Sequence, residues 1–102
     1  RDSLIKGTIS YNFIDSEIGQ IPFSKTGNNS TFSLRPEIFS IDFTQKSTLK
    51  GIVKDIYYLG NSQEVDVLMN EKLITISINS DILMEKEQEI FLVVNEEKII
   101  LI

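Results

Sequence analysis

The sequence predicts an all-β fold of about eight or nine short antiparallel strands with one or two short helical turns. Apolar and polar residues alternate in short stretches, turn-forming residues recur about every eight to twelve positions, and no stretch keeps a helical period. We favour a small OB-like β-barrel over a sandwich, because the run from Leu49 to Leu59 is long enough to serve both sides of a closed sheet.

The chain is organised around a corner at Pro36. Phe32 and Leu34 share one face of a predicted strand, and Pro36 ends it because proline has no N–H to donate to a sheet. Proline suits the first position of a helical turn, and the Glu37 carboxylate is favoured at the positive end of the peptide dipoles. We therefore expect one short helical turn from Pro36 to Phe39, followed directly by the next strand.

Before this corner, apolar residues fall mainly on odd positions from Ile5 to Phe13, which predicts one strand. A turn at Ile18-Gly19 leads into a short strand through Ile21, which Pro22 marks as an edge strand. Lys25 to Ser30 reads as a loop.

After the corner, the parity of the apolar residues changes within Leu49 to Leu59, as a β-bulge would produce, and Gly51 is well placed to permit it. Val65 to Ile78 reads as a hairpin. Asn79-Ser80-Asp81 is predicted to cap a helical turn over Ile82 to Glu85. The last two strands are predicted at Glu89 to Val94 and Lys98 to Ile102.

Composition restricts the function classes. The 102 residues are 41% hydrophobic, enough for one domain, and contain neither cysteine nor histidine. Disulfides, thiol nucleophiles, structural zinc sites and imidazole bases are therefore excluded. The net charge of -5, with the basic residues scattered along the chain, disfavours nucleic acid as a partner and is typical of a cytoplasmic surface.

Three short stretches carry a family resemblance through their order and spacing: Leu34-Arg35-Pro36-Glu37, Leu49 to Val53, and Tyr58-Leu59-Gly60. Together they resemble the TOBE domain at the C-terminus of the ATPase subunits of ABC importers, over nearly the whole chain. The residues that carry the motif are Leu34, Arg35, Pro36, Glu37, Gly51, Tyr58, Leu59 and Gly60. One departure is Glu87-Gln88, where members commonly carry Gly-Asp before the penultimate strand.

The resemblance implies that residues 1–102 are one regulatory, non-catalytic domain cut from the C-terminus of a longer ATP-binding subunit of the iron, polyamine or sugar importer type. ATP and magnesium would be handled by the part upstream of Arg1. The implied partners are that nucleotide-binding domain, a membrane permease and a second copy, at the cytoplasmic face of the membrane. Lys98 to Ile102 and the strand from Leu4 are the candidate dimer contacts.

The rival hypothesis is an oxyanion-binding module of the molybdate-binding type, with donors from the Gly60-Asn61-Ser62 turn and the Lys25 to Ser30 loop. A weaker alternative is a nucleic-acid-binding OB fold that stacks bases on Tyr57, Tyr58 and Phe91.

Two sets of charged residues could serve either the fold or a binding site. Arg35 and Glu37 are interpreted as a local ion pair at the start of the helical turn rather than as an anion site. Glu85, Glu87 and Glu89, with Asp81 nearby, are interpreted as a solvated face rather than a calcium site. We therefore predict no catalytic, cofactor-binding or metal-binding residues.

Leu34 is predicted to lie in the core. Leu34→Asp is therefore expected to destabilise the fold severely, because it buries a charge without a partner. Thermal melting measures the effect, and a melting curve like that of the wild type would contradict the core position.

Overall fold

The computed structural model describes residues 2–102, and this part of the chain is almost entirely β-structure. It contains ten strands and two single 3-10 turns, arranged as two antiparallel five-stranded sheets. The predicted small OB-like all-β fold is confirmed. No helix within residues 2–102 has the length and apolar character needed to cross a membrane.

The first sheet is built mainly from the N-terminal part of the chain and has the strand order β10-β4-β1-β2-β3. Its strands are β1 (Ser3–Ser10), β2 (Phe13–Ser16), β3 (Gly19–Pro22), β4 (Thr31–Leu34) and, from the other end of the chain, β10 (Ile100–Leu101). The strand carrying Pro22 is an edge strand, as predicted.

The second sheet has the order β5-β9-β6-β7-β8. Its strands are β5 (Phe39–Ile41), β6 (Leu49–Tyr58), β7 (Ser62–Met69), β8 (Lys72–Asn79) and β9 (Glu89–Val94). The sheet curls so far that its two edge strands, β5 and β8, contact each other. This half-barrel and the first sheet enclose one core.

The chain passes between the sheets at two neighbouring points. The first 3-10 turn, Pro36–Ile38, links β4 to β5, and the second, Glu96–Lys98, links β9 to β10. The Asn95 N–H donates to the Ile38 carbonyl at 3.0 Å, so the two crossovers are joined to each other. The Asn95 side chain also accepts from the Glu97 N–H, which caps the second turn.

The predicted Pro36 corner is confirmed. Pro36 occupies the first position of its turn with Glu37 behind it, and the Ile38 N–H donates to the Arg35 carbonyl at 3.1 Å. Pro36 and Ile38 are buried, and β8 packs against this turn. The corner therefore closes the open side of the half-barrel as well as redirecting the chain.

The predicted change of parity in β6 is also confirmed, but its position differs from the predicted one. The register with β7 shifts between Val53 and Asp55, so Lys54 is the bulged residue. Gly51 instead lies where β6 and β7 approach closely: a Cβ there would stand 2.6 Å from the Leu68 carbonyl oxygen. Gly51 is needed for packing rather than for the bulge.

The core receives side chains from both sheets. The aliphatic residues of β1 to β4 that point inward meet the alternating residues of β6 to β9. Leu34 is fully buried in this cluster, as predicted. Its largest fully buried members are Phe32, Ile5, Ile14, Ile18, Ile21, Leu34, Leu49, Met69, Ile74, Ile76 and Leu92.

Two predictions of local structure at the N-terminal end and near residue 80 are wrong. The strand predicted from Ile5 to Phe13 ends at Ser10, and the chain reverses at Tyr11-Asn12 with Asn12 at a φ of 67°. The helical turn predicted over Ile82 to Glu85 is absent, because Asn79 accepts from the Asp81 N–H through its side chain and from the Ile82 N–H through its carbonyl.

The last strand is shorter than predicted. Only Ile100 and Leu101 pair with β4, because Glu96 to Lys98 form the second 3-10 turn. Glu87 adopts a φ of 69°, the left-handed conformation that glycine favours.

Gly51→Ala is expected to lower the free energy of unfolding by about 1–3 kcal/mol, because a backbone carbonyl of the adjacent strand blocks the added methyl group. Urea denaturation measures the change. Gly27→Ala is the matched control, because its Cβ would meet only the ends of the Asn29 and Ile9 side chains. The control is expected to keep or slightly raise stability, and equal losses in both variants would contradict this explanation.

Candidate functional site

The outer face of the first sheet carries exposed aliphatic side chains next to a sheet edge. Inward-facing Phe32 and Leu34 alternate with Ser33, so Ser33 points to the opposite face of the sheet, where its neighbours leave it only 7% exposed. In the strand register Ser33 lies opposite Leu4 on one side and Ile100 on the other. Directly opposed residues share a face, so Leu4, Ser33 and Ile100 form one row across the sheet.

We call the exposed aliphatic residues of this surface the outer patch: Leu4, Leu73, Ile100 and Ile102. They are 56%, 54%, 40% and 60% exposed, respectively. Leu73 comes from β8 in the other sheet, but it lines the same cleft of about 260 Å³ as Leu4. Exposed aliphatic side chains that cluster on one surface are typical of an interaction site, whereas single ones are not.

The outer patch is held in place by contacts from several elements. The Ile102 N–H donates to the Thr31 carbonyl at 3.1 Å, and the Asn29 side chain donates to the Ile102 carbonyl at 2.9 Å. The Lys72 ammonium lies 3.5 Å from the Glu17 carboxylate, which ties β8 to the turn between β2 and β3. The patch therefore lies on fixed backbone rather than on a loose terminus.

A second surface, which we call the crossover cleft, adjoins β10. It has a volume of about 410 Å³ and an apolar floor between charged side chains. Its lining residues are Arg35, Glu37, Ile38, Glu97, Lys98, Ile99 and Ile100. Its two cations and two carboxylates cancel, so it is locally neutral in a chain of net charge -5.

The ion pair predicted between Arg35 and Glu37 does not form. Among residues 2–102, no carboxylate lies within 4 Å of Arg35 or Lys98, and Glu37 has no cation within that distance. Glu97 is held at 3.6 Å by Lys25. Pro36 and the buried Ile38 fasten the corner instead, and the charged side chains beside it are open to solvent.

The residues on which the TOBE resemblance depends do not converge on one site. Leu34, Arg35, Pro36 and Glu37 form the corner, and Gly51 lies within β6. Tyr58, Leu59 and Gly60 lie at the far end of β6, roughly 23 Å from Gly51 along the strand. Tyr58 and Leu59 are exposed, and Gly60 takes a φ of 82° in the following turn.

The donors considered for an oxyanion belong to different parts of the fold. In the Lys25 to Ser30 loop, Ser30 accepts from the Gly7 N–H and Asn29 donates to Ile102. The Gly60-Asn61-Ser62 turn packs instead on the turn after β8, where the Asn61 carbonyl accepts from the Ser80 N–H. The loop lines a cleft together with residues 7–9 of β1, and the Gly60-Asn61-Ser62 turn contributes no residue to that cleft.

The aromatic and acidic groups considered in the sequence are also separated. Phe91 pairs with Lys50 near the start of β6, whereas Tyr57 and Tyr58 lie at its end. Glu87 is held by Lys54 at 2.9 Å. Within residues 2–102, no group of three or more acidic side chains is arranged to hold a metal ion.

Sequence reasoning named both segments of the outer patch, at Leu4 and at Lys98 to Ile102, but it missed Leu73. The exposed position of Leu73 in β8 follows from alternation with the buried Ile74 and Ile76, so the pattern contained this signal. Its proximity to Leu4 depends on how the sheets pack and has no local signature.

A scan against protein-family models finds no match for this chain, and a search of curated proteins finds none either.

Arg35→Ala is expected to change the free energy of unfolding by less than about 0.5 kcal/mol, because Arg35 makes no ion pair with residues 2–102. Lys54→Ala is the comparison, because Lys54 contacts both Glu87 carboxylate oxygens, at 3.0 and 2.9 Å. This exposed pair is expected to contribute about 0.5–1 kcal/mol. Chemical denaturation distinguishes the two, and a larger loss for Arg35→Ala would show that the arginine fastens the corner.

Proposed function

We propose that this chain is a non-catalytic assembly domain that pairs with a second copy of itself through the outer patch. The observation that carries the proposal is that the two segments singled out from the sequence, the strand from Leu4 and Lys98 to Ile102, both pair with β4, so Leu4 and Ile100 lie on one face of one sheet. Together with Ile102 and with Leu73 from the other sheet, they form a group of four exposed aliphatic side chains, and burying them against a second copy would remove apolar surface from water.

The accessibility of the sheet edges also favours the outer patch as the dimer contact. Pro22 interrupts the edge at β3, and β8 is covered by the first 3-10 turn and by β5. Among residues 2–102, no strand pairs with the outer side of β10. An uncovered edge beside an apolar patch is the arrangement that a symmetric strand-to-strand contact uses.

Charge complementarity favours a second copy as the occupant. Most of the surface of one copy would repel another, because each carries a net charge of -5. The crossover cleft beside β10 is neutral and holds Arg35 and Glu37 without partners within the described residues. In a dimer with two-fold symmetry, Arg35 of one copy can pair with Glu37 of the other, and the same contact then forms a second time with the copies exchanged.

The finer proposal follows the TOBE resemblance. In it, the chain is the regulatory end of the ATP-binding subunit of an ABC importer, and it holds two such subunits together at the cytoplasmic face of the membrane. ATP and magnesium then belong to the upstream part and the permease is a further partner. This proposal rests on the order and spacing of the motif residues, and its separate test is the sequence upstream of Arg1. An ABC-type ATPase there supports it, and any other upstream domain contradicts it.

Ile100→Lys is expected to weaken self-association at least about tenfold, because it places a charge in the centre of a desolvated contact. Sedimentation velocity over a range of concentrations measures the dissociation constant. Tyr11→Lys is the matched control: it adds the same charge at an exposed position in the turn between β1 and β2. The control is expected to associate like the wild type. A wild-type chain that stays monomeric at millimolar concentration, or equal behaviour of both variants, would contradict the proposed dimer.

A further inference from the structure

A small cleft with apolar walls and a polar rim lies on the second sheet and shares no residue with the outer patch. Its volume is about 110 Å³, and the segment after β5 and the segment before β9 form its two sides. Phe43 and Leu83 line it while remaining 73% and 87% exposed, and the buried Met84 and Ile90 also line it. The space is close to that of one large apolar side chain.

The side that carries Phe43 is rigidly built. The Asp42 carboxylate accepts from the Thr44 hydroxyl at 2.6 Å and from the N–H groups of Thr44, Lys46 and Ser47 at 2.9, 3.1 and 2.8 Å. The Asp42 N–H donates to the Phe91 carbonyl at 2.8 Å, which ties this loop to β9. Phe43 is therefore held out from the sheet by a loop whose backbone is fixed.

The side that carries Leu83 is anchored from within the half-barrel. The fully buried Gln63 side chain donates to the carbonyls of Asn79 and Ile82, at 3.0 and 2.5 Å. The Glu85 N–H donates to the Gln88 side chain at 2.9 Å, which fixes the other end of the segment. Leu83 lies between these anchors and is exposed on a constrained backbone.

The charges around the cleft are negative. Asp42 and Glu89 line it, and Asp81 and Glu85 flank Leu83 in the chain. The Thr44 hydroxyl and the backbone donors of its loop lower the pKa of Asp42, so this carboxylate is ionised at neutral pH. Among the described residues, no lysine or arginine lines the cleft: Lys46, on the loop that carries Phe43, lines a different cleft, and Lys54 and Lys86 pair with Glu87 and Asp55.

We propose that the Phe43–Leu83 cleft binds a linear basic segment of a partner protein, with one bulky apolar side chain of that segment inserted between Phe43 and Leu83 and flanking Lys or Arg side chains against the carboxylates. The occupant is specified by charge complementarity: an apolar anchor fills the cleft, and only cations are favoured at its rim. A second copy is disfavoured as the occupant, because each copy carries a net charge of -5. The Phe43–Leu83 cleft shares no residue with the proposed dimer contact.

The experiment is an NMR titration of the isotopically labelled chain with the synthetic peptide acetyl-Gly-Arg-Lys-Phe-Arg-Lys-Gly-amide. Saturable shifts are expected at the Phe43, Leu83 and Met84 resonances, with weaker binding at high salt because the charges at the rim are exposed. The control peptide carries glutamate in place of every arginine and lysine and is expected to cause no saturable shift. Equal binding of both peptides, or shifts confined to the outer patch, would overturn the proposal.

A matched pair of variants localises the binding. Leu83→Ser is expected to weaken the peptide at least about tenfold by removing one wall of the cleft. Leu59→Ser makes the same change at an exposed leucine outside the cleft and is expected to bind like the wild type. Both variants are expected to keep the wild-type melting temperature. Equal affinity of the two variants would overturn the proposal, as would concentration-dependent shifts of Phe43 and Leu83 without peptide, which would identify a second copy as the occupant.

Discussion

Within residues 2–102 the chain crosses between the two sheets twice, from β4 to β5 and from β9 to β10. The backbone hydrogen bond from the Asn95 N–H to the Ile38 carbonyl joins these two crossovers. Each crossover is short, because it is built around a single 3-10 turn. Pro36 fixes the first turn by its restricted φ, and the Asn95 side chain caps the second. The joined turns place the end of β9 beside the start of β5, and from there β10 returns to the first sheet beside β4, where it completes the row through Ser33.

The same constraint explains how the second sheet closes. The first 3-10 turn packs on β8, and its buried residues Pro36 and Ile38 fill the gap between the edge strands of the half-barrel. The bulge at Lys54 adds local twist to β6, the longest strand of this sheet. Because the second sheet is closed in this way, the edge at β10 in the first sheet is the most accessible place for a further strand to pair. The proposed assembly function therefore follows from the way in which the fold is closed.

The two proposed contact surfaces differ in character. The outer patch is aliphatic and bordered by a neutral cleft, which suits a surface of the same kind on a second copy. The Phe43–Leu83 cleft is small and bordered by carboxylates, which suits a single anchoring side chain among cations. In both places the exposed apolar side chains lie on backbone fixed by hydrogen bonds. Little conformational entropy is therefore lost on binding, which favours recognition by either surface.

Local chemistry was enough to predict much of the fold. Pro36 restricts its own backbone, so the corner was found from sequence, and β9 has the predicted bounds of Glu89 to Val94. The turn at Tyr11-Asn12 was missed because the alternation of apolar and polar residues continues through it. In the structure Phe13 pairs with Ser10, so it lies on the opposite face of the sheet from Ile9. The turn after β8 was mistaken for a helix start, because an Asn side chain serves an Asx turn as well as a helix cap. Both candidate surfaces depend on contacts between elements distant in sequence, which periodicity does not encode.

If two copies meet through the outer patch, its methyl groups lie close to those of the other copy. A search for intermolecular nuclear Overhauser effects in a mixture of labelled and unlabelled chains at high concentration tests this contact. The proposal predicts effects between the methyl groups of Leu4, Ile100 and Ile102 of one copy and those of the other, and none at Leu83. Intermolecular effects confined to Leu83 and Phe43, or none anywhere in an associated sample, would contradict it.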